Sequence, residues 1–248
     1  MRSALEQFLL PAECLLCRGL LAGRDADRIV CPVCRHRWRA VRPPWCERCG
    51  QPEPHFGPCR LCAAWPAALR AVRSAVWLAE GAREAVHALK YGGLPRIADD
   101  LAAAMDPPAP AADPVLVPIP LAPRRLRQRG YNQSEWLALA LGRRWRLPVA
   151  CDLLSRVRET ATQTALTPET RLANVAGAFQ VRSAECGVRG ERQRAHPALR
   201  TPHPALVLVD DVFTTGATLA EAARALEQAG ARRVCGVTFG RAVIPDFT

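Results

Sequence analysis

The sequence predicts an α/β fold in which a parallel sheet is flanked by helices and is preceded by a small cysteine-rich region. Two observations support this prediction. Short apolar runs alternate with amphipathic stretches along the second part of the chain, as expected when strands and helices alternate in a parallel sheet. Eight of the eleven cysteines form four Cys-x-x-Cys pairs confined to residues 14–62. We therefore expect two regions, residues 1–66 and residues 67–248.

Length and composition indicate a globular protein with an anionic partner. The chain has 248 residues, of which 49% are hydrophobic, enough for a buried core. Its formal net charge of +11 favours a nucleic acid or a phosphorylated small molecule, and charge alone does not choose between them. Glu6, Gln7 and Glu13 interrupt the apolar stretches near the N-terminus. We expect a cytoplasmic protein with neither a secretory leader nor membrane insertion.

The regular elements follow from apolar runs and helical periodicity. Strands are predicted at residues 74–80, 115–120, 205–209 and 234–239, and helices at residues 83–91, 134–145 and 219–229. The last helix and the strands on either side of it form a βαβ unit. Residues 63–68 are rich in Ala and Pro, which predicts a short linker. Residues 182–204 are rich in Arg without an apolar period, which predicts a mobile surface insertion.

The four Cys-x-x-Cys pairs have the spacing of zinc ligands. Each pair places two sulfurs on one side of a turn, and four thiolates complete a tetrahedral Zn²⁺ site. Because such a site has no open position, two structural zinc ions are predicted. Sequential pairing gives the shortest loops; a cross-brace, redox-active pairs, an iron–sulfur cluster and substitution by His36 or His55 are the alternatives. The sequential quartets are Cys14, Cys17, Cys31 and Cys34, and Cys46, Cys49, Cys59 and Cys62.

The most specific segment is a strand, turn and helix typical of phosphate binding. N–H groups at a helix N-terminus point at an anion, a glycine permits close backbone approach, and threonines add hydroxyl donors. Two adjacent carboxylates suit a ribose diol, directly or through Mg²⁺, and the cationic character of a reacting sugar carbon. The alternative is an ordinary helix with Thr218 as N-cap. The residues concerned are Asp210, Asp211, Thr214, Thr215, Gly216, Ala217 and Thr218.

This segment resembles the signature of type I phosphoribosyltransferases, which bind 5-phosphoribosyl 1-pyrophosphate (PRPP) with Mg²⁺. Three further blocks are similar to the ComF family of phosphoribosyltransferase-like proteins, so the resemblance covers nearly the whole chain. The resemblance implies transfer of phosphoribosyl to an acceptor with release of pyrophosphate, and a link to DNA uptake in competence. The blocks are residues 89–92, 117–134 and 156–179.

These blocks supply the remaining candidate residues. Arg127 and Arg129 can hold a pyrophosphate in bidentate contacts, although such a pair is also common on a solvent-facing surface. Residues 156–171 are expected to order over the ligand as a lid, with an ordinary loop as the alternative. Helix capping by Asn132 or Ser134 is the alternative for the end of the second block. Residues assigned to the lid or acceptor side are Tyr91, Tyr131, Asn132, Arg156, Gln163, Arg171 and Asn174.

Lys90 is predicted to be catalytic, together with Asp210 and Asp211. It is the only Lys in a chain with 33 Arg, which indicates that a guanidinium is not acceptable at this position. A compact ammonium on a flexible stem can follow a leaving pyrophosphate as charge develops. Chance survival of one codon is the alternative.

Two functions from different classes follow. The first is an enzyme that transfers phosphoribosyl from PRPP to an acceptor that the sequence does not identify. The second is a non-catalytic, PRPP-responsive adaptor that binds single-stranded DNA, and with it the DNA-uptake machinery, through the zinc ribbons and an Arg-rich surface. Pyrophosphate release distinguishes the two.

Overall fold

The computed structural model describes residues 12–52, 59–106, 114–159, 175–182 and 205–243. Among these residues no helix is long and apolar enough to span a membrane. The strands are β1 (Ala12–Glu13), β2 (Leu20–Leu21), β3 (Leu69–Trp77), β4 (Val115–Pro118), β5 (Leu154–Arg156), β6 (Phe179–Val181), β7 (Leu206–Phe213) and β8 (Val234–Arg241). The helices are a 3-10 turn (Gly23–Asp25), α1 (Pro32–His36), α2 (Glu80–Tyr91), α3 (Ile97–Ala102), α4 (Pro123–Arg129), α5 (Gln133–Trp145) and α6 (Ala217–Gln228).

Four parallel strands form the central sheet in the order β3-β8-β7-β4. The first four residues of β7 are all buried, as a central strand covered on both faces requires. The pairs β1-β2 and β5-β6 are antiparallel and lie outside this sheet. The predicted fold class, a parallel sheet flanked by helices behind an N-terminal cysteine region, is confirmed.

Alternate residues of β7 pack on opposite faces of the sheet. Val207 and Val209 join a cluster with α2, α3, α5 and the first cysteine quartet. Leu206 and Leu208 join the cluster formed with α6 and the second quartet. The cysteine region therefore packs on both faces of the sheet and shares its two cores. This agrees with the absence of an apolar period in its own sequence.

The ends of the elements differ most from prediction at the edge strand. β3 begins at Leu69 and ends at Trp77, whereas the sequence pattern predicts residues 74–80. The exposed Arg70 interrupts its apolar pattern, as edge strands tolerate. Helix α2 begins at Glu80 rather than residue 83. Helix α4 is not predicted at all, because none of its residues is buried and it carries no apolar period.

Residues 63–68, the predicted linker, join the last cysteine pair to β3 and are partly buried. Trp65 and Ala68 are only 6% and 3% exposed and belong to the core that covers α6. Arg48 fixes this segment by donating hydrogen bonds to the carbonyl oxygens of Trp65 (3.1 Å) and Pro66 (2.8 Å). The segment thus packs on the sheet, and the division of the chain at this point stays a prediction.

Candidate functional site

The eight paired cysteines form two compact groups of sulfur atoms. Each sequential quartet has its four ligand atoms within 4.8 Å of one another. The distances from Cys17 Sγ to Cys31 Sγ and from Cys46 Sγ to Cys62 Sγ are both 3.8 Å. A tetrahedron with Zn–S bonds of about 2.3 Å has sulfurs separated by about 3.8 Å. The quartets therefore fit two structural zinc ions in sequential pairing, without ligation by His36.

Backbone amides orient the sulfurs of the first quartet. The Cys31 amide donates to Cys14 Sγ and the Cys34 amide donates to Cys31 Sγ, both at 3.3 Å. Such bonds favour the thiolate, the form that a metal ion requires. The two buried cysteines Cys14 and Cys34 lie in the core shared with α2 and α3. These are closed structural sites rather than catalytic ones.

The adjacent acids Asp210 and Asp211 lie near the carboxyl end of β7, within the strand rather than beyond it. Lys90, one residue before the end of α2, places its Nζ 2.8 Å from Asp211 Oδ1. On the other side, Ser134 Oγ donates to Asp210 Oδ1 at 2.9 Å. The structure thus brings together the three residues predicted to be catalytic. In open parallel sheets this edge is where ligands bind.

Burial and charge set the protonation of this cluster. Burial, followed by repulsion from Asp211, raises the pKa of Asp210 to about 7, against the lowering effects of the Asp211 amide, Lys90 and Ser134. Burial lowers the pKa of Lys90, but attraction to Asp211 and Asp210 outweighs it and leaves that pKa raised. Lys90 is therefore a cation at neutral pH, and Asp210 changes charge near neutrality.

The turn after β7 has the conformation of an anion-binding loop. Gly216 is the N-cap of α6 with φ 76°, and no side chain caps the helix, so Thr218 does not have the capping role considered above. With 12 residues, α6 is long enough for the amides of its first turn, which make no bond within the helix, to attract an anion. Thr215 Oγ1 and Asp211 Oδ2 are buried without a hydrogen-bond partner among the described residues. Buried polar atoms of this kind require a ligand, ion or water.

The block around residue 131 ties two parts of the site together. The Tyr131 hydroxyl donates to the Leu89 carbonyl (3.1 Å) and accepts from the Gly93 amide (3.3 Å). Its ring stacks on Trp136 at 3.7 Å. Asn132 caps α5 by accepting from the Ser134 amide, which was the alternative to an acceptor-side role. Tyr131 therefore fixes the end of α2, where Lys90 lies, and Asn132 fixes the start of α5, where Ser134 lies.

The predicted pyrophosphate residues occupy a helix of their own. Arg129 donates to Gln133, and its guanidinium lies 4.9 Å from the ring centroid of Tyr91. The positive charge of Arg129 slightly opposes the rise in the pKa of Lys90 that Asp211 and Asp210 cause. Arg127 is exposed on the same helix, α4. Arg129 therefore lies beside the acid cluster, whereas no contact of Arg127 with this cluster is observed among the described residues.

Of the predicted lid, residues 156–171, the structure describes only residues 156–159. Arg156 ends β5, is 9% exposed, and lies 5.3 Å from the ring centroid of Phe179. Burial, followed by repulsion from Arg125, lowers the pKa of Arg156, and attraction by Asp210 and Glu159 opposes this. Gln163, Arg171, Asn174, His55 and residues 183–204 of the predicted insertion lie outside the described residues.

The fold and site define a class: a parallel α/β domain with an acid pair, a lysine and a phosphate-type turn, joined to two zinc ribbons. A family model described as "Double zinc ribbon domain" matches residues 5–63. "DNA utilization protein YhgH" of Escherichia coli strain K12 is 30% identical over 234 residues, which cover 91% of this chain and 95% of that protein. The Salmonella typhi protein of the same name is 34% identical with the same coverage.

A third relative gives the family its name. "Competence protein ComFC" of Bacillus subtilis is 29% identical over 214 residues, covering 82% of this chain and 80% of that protein. The chain belongs to the ComF family.

Sequence reasoning missed three residues that contact the site. Ser134 is considered only as a helix cap, but its hydroxyl donates to Asp210. Trp65 and Arg241 pack against the turn after β7 from the side of the second cysteine quartet. Arg241 is fully buried, at 2% exposed. A charged residue at the end of an apolar strand is the signal that could have indicated a buried partner.

Proposed function

We propose that this chain binds PRPP with Mg²⁺ and transfers its phosphoribosyl group to an acceptor, in a process linked to DNA uptake or use. The observation that carries the proposal is the cluster of Lys90, Asp210 and Asp211 directly before a turn whose buried Thr215 hydroxyl has no hydrogen-bond partner in the described part of the chain. An anion with a sugar diol and a metal ion would satisfy all of these groups at once. The names of the relatives, which refer to DNA utilization and competence, support the biological link.

The phosphate of such a ligand would bind at the turn after β7. The N-terminal amides of α6 and the Thr215 hydroxyl supply donors, and the left-handed Gly216 keeps the backbone open to the anion. Thr214 and Thr218, both partly exposed, flank the same turn. The buried Thr215 hydroxyl would gain a partner that the described residues do not provide.

The acid pair would bind the ribose and stabilise charge at its reacting carbon. Bound Mg²⁺ would supply positive charge to the pyrophosphate and help it leave. As the bond from C1′ to the pyrophosphate oxygen breaks, the ring carbon becomes cationic, and an ionised Asp210 stabilises it. Lys90 can turn from Asp211 toward the departing pyrophosphate, and Arg129 contributes further positive charge. The acceptor's lone pair then forms the new bond at C1′.

Calorimetry with PRPP tests this proposal. We expect Mg²⁺-dependent heat with wild type at about pH 8, where Asp210 is ionised, and none with the double change Asp210→Asn and Asp211→Asn. Asp99→Asn is a matched control, because Asp99 is an exposed acid paired with Arg143. Equal binding by the wild type and the double variant would reject the site. Pyrophosphate release in the presence of candidate acceptors then tests for transfer.

A second candidate function is a PRPP-responsive adaptor for single-stranded DNA. Helix α4 has no buried residue and carries four Arg, and Tyr91 beside it is 65% exposed. Guanidinium groups next to an accessible aromatic ring suit phosphates and stacked bases. PRPP binding without pyrophosphate release, together with DNA binding, would favour the adaptor. Either function would take place in the cytoplasm, where disulfides are rare and cysteines stay available to zinc.

A further inference from the structure

The second cysteine quartet lies against the turn that follows β7. If Gly216 carried a Cβ atom, that atom would lie 2.5 Å from Trp65 Cζ2 and 2.8 Å from Phe213 Cε2. The indole of Trp65 thus packs directly on the backbone of Gly216. Trp65 and Phe213 also make an edge-to-face contact with centroids 6.2 Å apart. One wall of the phosphate-type turn is therefore a side chain from the cysteine region.

Trp65 is attached to the metal site through the backbone. Its amide donates to the carbonyl oxygen of the zinc ligand Cys62 at 3.2 Å. Arg48, between Cys46 and Cys49 in the chain, donates to the same Cys62 oxygen (3.1 Å) and to the Trp65 oxygen (3.1 Å). Cys62 and Trp65 are both nearly inaccessible to solvent. The position of the indole is therefore tied to the geometry of the second quartet.

Arg241 makes a second, independent connection. At the end of β8, its guanidinium donates to the Cys49 carbonyl at 2.9 Å and to Gln51 Oε1 at 2.8 Å. The same group lies 4.4 Å from the ring centroid of Phe213, the last residue of β7. A charge that is only 2% exposed is tolerated because its donors are satisfied and an aromatic face lies against it. Phe213 is thus held from one side by Arg241 and from the other by Trp65.

The first quartet makes no such connection in the described part of the chain. Its tryptophan, Trp38, is as buried as Trp65 and makes an edge contact with Phe239 at 4.9 Å. That contact lies in the core with α2 and α3, which is the other cluster. The two ribbons therefore support different faces of the sheet, and only the second reaches the turn.

We propose that Trp65 and Arg241 are positioning residues, through which the second zinc ribbon holds the turn at residues 213–218 in its anion-binding conformation. The functional consequence rests on the proposed function, because the turn is a phosphate site only if that function holds. Loss of the indole leaves Gly216 without its wall and Phe213 without one of its two supports. The turn should then open more often, although the rest of the sheet stays folded.

Hydrogen–deuterium exchange of the full-length, zinc-loaded protein tests the structural part. Trp65→Leu should speed amide exchange in peptides covering residues 213–220 by at least about tenfold, with both zinc ions retained. Trp65→Phe, which keeps an aromatic edge, should restore most of the protection. Arg241→Met should speed exchange in the same peptides. Trp38→Leu is the matched control and should affect α2 and β8 rather than the turn.

The binding part is measured separately, with PRPP and Mg²⁺ in a calorimeter. Trp65→Leu should weaken PRPP binding by at least about tenfold, and Trp65→Phe should recover it. If wild type does not bind PRPP, the proposed function fails, whereas the exchange comparison still decides the present inference. Unchanged exchange of the turn in Trp65→Leu, or the same increase in Trp38→Leu, would overturn it.

Discussion

Replacing Asp210 by Asn should stabilise the protein at alkaline pH while removing part of the proposed site. Burial and the neighbouring Asp211 raise the pKa of Asp210 from 3.8 to about 7. The folded state therefore holds this proton more tightly than the unfolded chain does. The protonated Asp210 therefore contributes to the free energy of unfolding. This contribution is fully present below about pH 4 and is lost as the pH rises through about 7.

The size of the effect follows from the displaced pKa. A rise in pKa from 3.8 to about 7 means that, above pH 7, the ionised Asp210 destabilises the folded state by about 4 kcal/mol relative to the protonated form. More than half of this develops above about pH 5. Asn carries no charge and keeps an oxygen to accept from Ser134 and from the Asp211 amide. Asp210→Asn should thus gain up to about 4 kcal/mol over wild type at high pH and less at low pH.

Urea and thermal unfolding between about pH 5 and pH 8 measure this difference, with zinc content checked at each pH. The stability advantage of Asp210→Asn should grow from pH 5 to about pH 7 and then level off. Asp99→Asn, at an exposed acid, should give a difference that does not change with pH. A flat difference for Asp210→Asn would refute the argument that burial and Asp211 hold its proton.

Three further outcomes follow from the same structure. Lys90→Arg should keep the fold and zinc content but weaken PRPP binding or turnover by at least about tenfold, or roughly 1.4 kcal/mol. The reason is that the larger guanidinium does not fit against the buried Asp211. Binding and turnover equal to wild type would show that Lys90 is an ordinary surface cation. Metal analysis should find two zinc ions per chain, and a single zinc ion in the wild type would contradict the two sites. Cys62→Ser should lose one zinc ion. It should also lower the melting temperature, because Cys62 lies in the core shared with the sheet. Single-stranded DNA should bind with an affinity that falls steeply as the salt concentration rises. Replacing the four Arg of α4 by Gln should reduce this salt dependence. Binding that does not depend on salt would exclude α4 as the contact.

The central sheet was predictable from the sequence because its strands are buried on both faces. The apolar run at the start of β7 predicts a buried strand. The spacing of the cysteine pairs predicts two zinc sites, whereas their sequential pairing is seen only in the structure. Helix α4 could not be predicted, because a fully exposed helix lacks an apolar period. β3 was placed too late because Arg70 and Arg73 interrupt it at the sheet edge.

The acid pair, the lysine and the turn could be predicted together from the sequence. Trp65 and Arg241, which pack against the turn, could not. The lone Lys90 and the paired acids are unusual residues in the printed sequence, and the fold places Lys90 Nζ 2.8 Å from Asp211 Oδ1. Trp65 contacts Gly216, which lies far along the chain, and Arg241 contacts Cys49 across a separation of 192 residues. Such contacts depend on how the ribbons dock on the sheet, which local pattern does not encode.

The most direct test is a crystal structure of the protein with PRPP and Mn²⁺, in which the anomalous signal of manganese locates the metal ion. The 5′-phosphate should lie at the amides of residues 216–218 and the Thr215 hydroxyl. The ribose hydroxyls should lie beside Asp210 and Asp211, and the metal ion next to the pyrophosphate. A ligand bound elsewhere, with Thr215 Oγ1 and Asp211 Oδ2 still without a partner, would contradict the proposed site.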